Sequence, residues 1–186
     1  MSATFDRLRL EYDSETLREM VRVPDELRAA RAELTAELDG VDENTDPAGV
    51  ARLAGQRATV SRALGDLDLA LADAERALAA AERTGNLRVL TVTRIRLAHV
   101  HQWREEFTDS NALFALCMAD LARLPDTLRS FVHQHAGKNF YDQRRYAEAA
   151  EQFAEALRLR EGGDPELVES SRLGLKAARE HLEQAS

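Results

Sequence analysis

With 186 residues the chain is long enough to bury a sizeable core, as one domain or as a stack of small repeats, without disulfides or metals to hold it. Charged residues make up 31% and apolar residues 44%, with four prolines and nine glycines, which excludes disordered and collagen-like classes. A formal net charge of −8 argues against nucleic acid as a partner, because it repels a phosphate backbone unless the basic residues segregate onto one face.

In chain order, residues 1–24 are expected to form a tail with one short helix near 14–22. Leu8, Leu10 and Tyr12 alternate, but one short strand there would have no partner, so Thr4 to Tyr12 are expected to be loosely ordered. Pro24-Asp25-Glu26 opens a helix near 25–39, whose apolar residues Leu27, Ala30, Leu34 and Leu38 recur at helical spacing before the stop at Gly40. The polar run from Val41 to Thr45 is expected to be a mobile junction, so residues 25–46 amount to a covering helix and a loop. Asp46-Pro47 then opens a helix to about residue 64: the Asp side chain caps free backbone N–H groups, and Pro fills the first helical position, which has no donor to lose. Further helices are predicted near 67–84, 87–103, 106–123, 126–142 and 146–160, with Gly85-Asn86 and Pro125-Asp126 as punctuation. After the stop Gly162-Gly163, Asp164-Pro165 opens a last helix near 165–183, and the short links throughout imply antiparallel neighbours.

A repeat emerges when the second helices of successive pairs are aligned. Leu67-Asp68-Leu69-Ala70, Phe107-Thr108-Asp109-Ser110 and Tyr146-Ala147-Glu148-Ala149 lie 40 and 39 residues apart, each running from a large apolar residue to a small one. Farther along, Ala74, Phe114 and Phe153 correspond, then small Ala77, Cys117 and Ala156, each followed by Leu78, Met118 or Leu157. The same offsets align Arg57-Ala58, Leu97-Ala98 and Ala136-Gly137 in the preceding helices, followed by Ser61, His101 and Phe140. Small residues at fixed positions let two helices approach, and hairpins with an uncovered apolar face must stack.

These positions resemble the tetratricopeptide repeat (TPR) family, best over residues 130–163, less well over 91–124 and least over 51–84, where Arg57 and Ser61 stand at normally apolar sites. The family's early tryptophan and closing proline are missing, and the period exceeds the ordinary one, which resembles lengthened variants and leaves HEAT-like or unrelated helical hairpins as alternatives. The resemblance implies an all-α fold of antiparallel helical hairpins stacked as a short right-handed α-solenoid. Residues 47–164 would form three hairpins and residues 165–186 a C-terminal capping helix.

No constellation for catalysis stands out. His99 and His101 are two residues apart, as are His133 and His135, so neither pair shares a helix face for a metal, and Cys117 at a small packing position is expected to be buried and inert. Gly162-Gly163 lacks the strand and lysine of a phosphate loop. The expectation is a non-enzymatic chain with no cofactor and no metal. In the resembled family the first helices line a concave groove for a ligand. Here that face would carry Arg52, Thr59 and Arg62, then Val92, Ile95, His99, Gln102 and Trp103, then Phe131, Gln134, Lys138 and Tyr141. Trp103, Phe131 and Tyr141 would anchor a protein or peptide, and Arg52, Arg62 and Lys138 would pair with its carboxylates.

The competing expectation is a homodimer, with the stripe Leu27, Leu34 and Leu38 buried between copies and no separate ligand. Among compartments, the single cysteine, the absence of a signal-peptide core and of any apolar run near the roughly 20 residues a bilayer requires all favour the cytoplasm.

Overall fold

A computed structural model describes residues 11–13, 15–21 and 23–184. Among them are eight α-helices: α1 (Pro24–Asp39), α2 (Pro47–Ala63), α3 (Leu67–Thr84), α4 (Leu87–Trp103), α5 (Phe107–Ala119), α6 (Asp126–Asp142), α7 (Tyr146–Leu159) and α8 (Pro165–Gln184). The fold is all-helical with packed adjacent helix pairs, and the boundaries fall where the capping residues put them. Asp46 accepts from the Gly49 N–H at 2.7 Å, Asp164 from the Glu166 N–H at 2.9 Å, and Gly85 closes α3 in the left-handed region at φ +62°. The expected helix 106–123 divides into α5 and a single 3-10 turn, Leu121–Arg123. None of these helices is long and apolar enough to cross a membrane.

The segment before α1 departs from expectation. No helix forms near 14–22; instead Glu11–Tyr12 (β1) pairs antiparallel with Glu19–Met20 (β2), Glu11 opposite Met20 and Tyr12 opposite Glu19. Asp13 explains why: its Oδ1 accepts from the Glu15 N–H at 3.0 Å and the Thr16 N–H at 2.7 Å, taking the donors a first helical turn would present. Leu17 at φ +56° then sends the chain back. Tyr12 thus finds its strand partner beyond a local turn, while Thr4 to Leu10 lie outside the described residues.

The chain forms two compact units that divide in the turn between α4 and α5, inside the second repeat segment. Unit one holds residues 11–12 and 19–106. In it α2 packs on α1, α3 and α4. Leu27, Leu34 and Leu38 of α1 meet Val50, Leu53 and Val60 of α2 and Ala77, Ala80 and Ala81 of α3 in one core, where the alanines allow close approach. The leucine stripe offered for a homodimer is therefore consumed inside the chain, with Leu34 and Leu38 at 0% and 1% exposure. Arg57, at a site where apolar residues were expected, forks onto Asp73 at 2.8 and 2.6 Å and reaches Thr35 Oγ1 at 3.1 Å, so an ion pair ties α1, α2 and α3 there.

Unit two holds residues 13–18 and 107–184. Here α6 packs on α5, α7 and α8, and α7 on α8. Phe153 fills a socket made by two glycines: a Cβ on Gly137 would lie 2.8 Å from its ring and one on Gly174 2.7 Å. Leu17, Tyr141, Ala149 and Ala178 complete that core.

The repeat is also written in the turns that close its first helices. Gly65, Glu105 and Arg144, 40 and 39 residues apart, all take left-handed φ, at +84°, +61° and +59°. Each donates its N–H three residues back, to Arg62, Gln102 and Tyr141, and the next residue donates five back, to Ser61, His101 and Phe140. Three Schellman turns thus recur at one register. The aligned positions Ala70, Ser110 and Ala149, Ala74, Phe114 and Phe153, and Ala77, Cys117 and Ala156 are all buried.

Candidate functional site

Each candidate side chain is carried by α2, α4 or α6, the helices with the most continuous burial. On α2, Arg52, Gly55, Gln56, Thr59 and Arg62 recur at three- and four-residue spacing and so share a face; on α4, Val92, Ile95, Arg96, His99, Gln102 and Trp103 do the same.

A buried ion pair lies at the C-terminal end of α2. The Arg62 guanidinium forks onto the Glu19 carboxylate, Nη1 to Oε2 at 2.8 Å and Nη2 to Oε1 at 3.0 Å, with both side chains sealed from solvent at 3% and 7% exposure. Its other side is covered by the only tryptophan, the Trp103 ring centroid lying 4.7 Å from the guanidinium carbon. Planar cation, flat ring and bidentate carboxylate together make a built carboxylate site, and its occupant comes from β2 of the same chain. Two turns earlier, Arg96 of α4 lies against Gly55 of α2, whose absent Cβ would sit 2.8 Å from Nη1. Desolvation holds the Arg96 pKa down at about 10, and no carboxylate among the described residues engages it. Arg52 reaches Gln56 Oε1 at 3.5 Å, and Thr59 donates its hydroxyl back to Gly55 O at 3.1 Å within its own helix. Ile95, His99 and Gln102 are buried.

On α6, in unit two, the candidates go separate ways. Gln134 belongs to a buried polar cluster: its Oε1 accepts from Ser171 Oγ at 2.7 Å and from Arg160 Nη1 at 3.2 Å, and Arg160 also donates to Leu167 O at 2.9 Å. That cluster fastens α6, α7 and α8 together. Tyr141 donates its hydroxyl to Glu15 O at 2.9 Å and contacts His181 Nε2 at 3.0 Å, with its ring edge-on to Tyr146. Burial raises the pKa of this phenol. Its role is to hold the turn at residues 13–18, together with Arg18, which meets Asp142 at 2.8 Å. Lys138 is buried at 6% exposure. Phe131 alone among the twelve candidates is exposed, at 39%, with the Arg160 guanidinium 5.5 Å from its ring centroid.

The histidines are also placed. His101 Nδ1 lies 2.7 Å from Glu106 Oε2, which lowers the Glu106 pKa, and His133 Nδ1 lies 2.8 Å from Gln152 Oε1. Cys117 is a free, buried thiol.

No protein-family model matches this chain, and no curated protein matches it. The site therefore rests on its own geometry, in which the expected residues Arg62 and Trp103 meet. Glu19 and Arg96 are the two participants that periodicity did not single out. Glu19 was hidden by the expected helix near 14–22, whereas Gly55, a lone glycine inside a helical pattern, was the available signal for the side chain that covers it.

Proposed function

We propose that this protein is a non-catalytic, TPR-like scaffold or regulatory module whose α2/α4 face recognises an extended, acidic segment of a protein partner. The observation that carries this reading is the Arg62 site: a desolvated guanidinium, backed by Trp103, already grips the carboxylate of an extended strand. A face that holds the Glu19 carboxylate in this way has the chemistry to hold a carboxylate from an extended segment of another protein. The 40- and 39-residue register of turns and small residues supports the stacked-hairpin scaffold behind it. The residues that would contact the partner are Arg62 and Trp103, with Arg52, Thr59, Ile95, His99 and Gln102 on the same faces.

An array of extended peptides, acidic and neutral, probed with the wild-type chain and with Arg62→Gln, tests this reading. The expected outcome is a bound set rich in Glu and Asp that disappears with Arg62→Gln. A bound set without acidic bias, or one that survives the substitution, would overturn it.

A further inference from the structure

Two cations point at one seam, and among the described residues only one of them meets an anion. Arg62 of α2 reaches across to Trp103 of α4, and Arg96 of α4 reaches back to Gly55 of α2; in each pair the partner is 41 residues along the chain. Equal offsets mean that both contacts belong to the same side-by-side packing of α2 and α4. They lie seven residues apart on each helix, which is two turns or about 10 Å.

At the first point Glu19 neutralises Arg62. At the second, Arg96 keeps its charge in dense surroundings with no hydrogen bond or ion pair to any described residue. A cation held without an anion lowers stability, and it persists where an anion arrives from elsewhere. Part of the residue still reaches solvent.

We propose that the α2/α4 face is a two-carboxylate site, in which Arg62 and Arg96 take acidic side chains three residues apart on an extended partner peptide. Glu19 holds the first position as a displaceable stand-in. The spacing follows from chain geometry: a polyproline-II segment repeats every three residues at about 3.1 Å per residue, so side chains at i and i+3 face one way about 9 Å apart. The chain's own segment cannot fill both positions, since the residues three away from Glu19 are Thr16 and Arg22. A partner with both carboxylates gains one ion pair over the stand-in, and that difference drives the exchange. This inference rests on the peptide-recognition reading above and adds the ligand's charge pattern and the regulation of access.

The test uses the full chain carrying Glu19→Gln, which weakens the stand-in, and fluorescein-labelled heptapeptides with Glu at both i and i+3, or with Gln at i+3. Anisotropy is expected to show the double-acid peptide binding about tenfold more tightly than the single-acid peptide, the worth of one charge-assisted contact. Adding Arg96→Met should bring that ratio to about one, while the single-acid peptide binds as before. The double-acid peptide is also expected to bind Glu19→Gln more tightly than wild type. Equal binding of the two peptides to the Glu19→Gln chain overturns the two-carboxylate site and leaves the recognition face standing. Failure of every peptide to bind Glu19→Gln, at concentrations where the chain is folded by circular dichroism, overturns both.

Discussion

Arg96→Met makes the most informative single change for stability, because it removes the charge and keeps the apolar stem that lies along α2. Desolvation brings the pKa of this guanidinium from its ordinary value down to about 10. At about 1.4 kcal/mol per unit, that shift corresponds to roughly 3 kcal/mol of destabilisation by the charged form, an upper bound because part of the residue is still hydrated. The expected gain on substitution is about 1–2 kcal/mol at pH 7, a rise in Tm of roughly 2–8 °C for a chain of this size. Linkage fixes the pH dependence. Because the folded pKa is the lower one, the unfolded chain keeps a proton that the folded chain has released between pH 10 and the ordinary arginine value, so wild-type stability rises through that window. The advantage of Arg96→Met should therefore be full below pH 10 and shrink above it. Urea unfolding of both proteins at pH 7 and near pH 10.5 measures this directly. A variant destabilised by more than about 1 kcal/mol at pH 7 would refute the reasoning, since Arg96 would then be doing favourable work in the unliganded fold.

Other expectations follow from packing and turns. Gly174→Ala would normally stabilise a helix by about 1 kcal/mol, but here its methyl meets Phe153, and thermal melts should show a net loss of about 1–3 kcal/mol. Arg144→Gly relieves a left-handed backbone at an exposed side chain and should stabilise by about 0.5–1 kcal/mol, whereas the same change at a right-handed helical position would destabilise. Tyr141→Phe removes the bonds to Glu15 and His181, a loss of about 1 kcal/mol at neutral pH. Because burial raises the Tyr141 pKa above 10.0, the unfolded chain ionises first, so the tyrosine's contribution is complete below that pH and lost as pH climbs through the folded value. Stability curves of wild type and Tyr141→Phe should converge at high pH.

How much of this was legible follows from the range of each interaction. Helix limits were carried by local chemistry, Asp46-Pro47, Asp164-Pro165 and Gly85, and so could be placed from the chain alone. The repeat was legible because Ala70, Ser110 and Ala149, and Ala77, Cys117 and Ala156, must be small where helices touch. The left-handed turns at Glu105 and Arg144 were not, since neither residue type favours that conformation and only the alignment with Gly65 points to it. The segment near 14–22 was not legible because Asp13 redirects its backbone donors, a signal carried only by the Asp13 to Thr16 spacing. Gln134 and Tyr141 were expected on a ligand-facing surface, and helix register alone did not show what else they meet: Arg160 and Ser171 at the first, Glu15 and His181 at the second.

Trp103, the chain's one tryptophan, gives the central claim its most direct readout, because its ring lies against the Arg62 guanidinium that holds Glu19. Titrating the wild-type chain with a tryptophan-free peptide bearing Glu at i and i+3, while following tryptophan emission, should give a saturable change that Arg62→Gln abolishes. An emission spectrum that stays constant to saturating peptide, with the peptide shown by anisotropy to be bound, would place the ligand elsewhere and contradict the account.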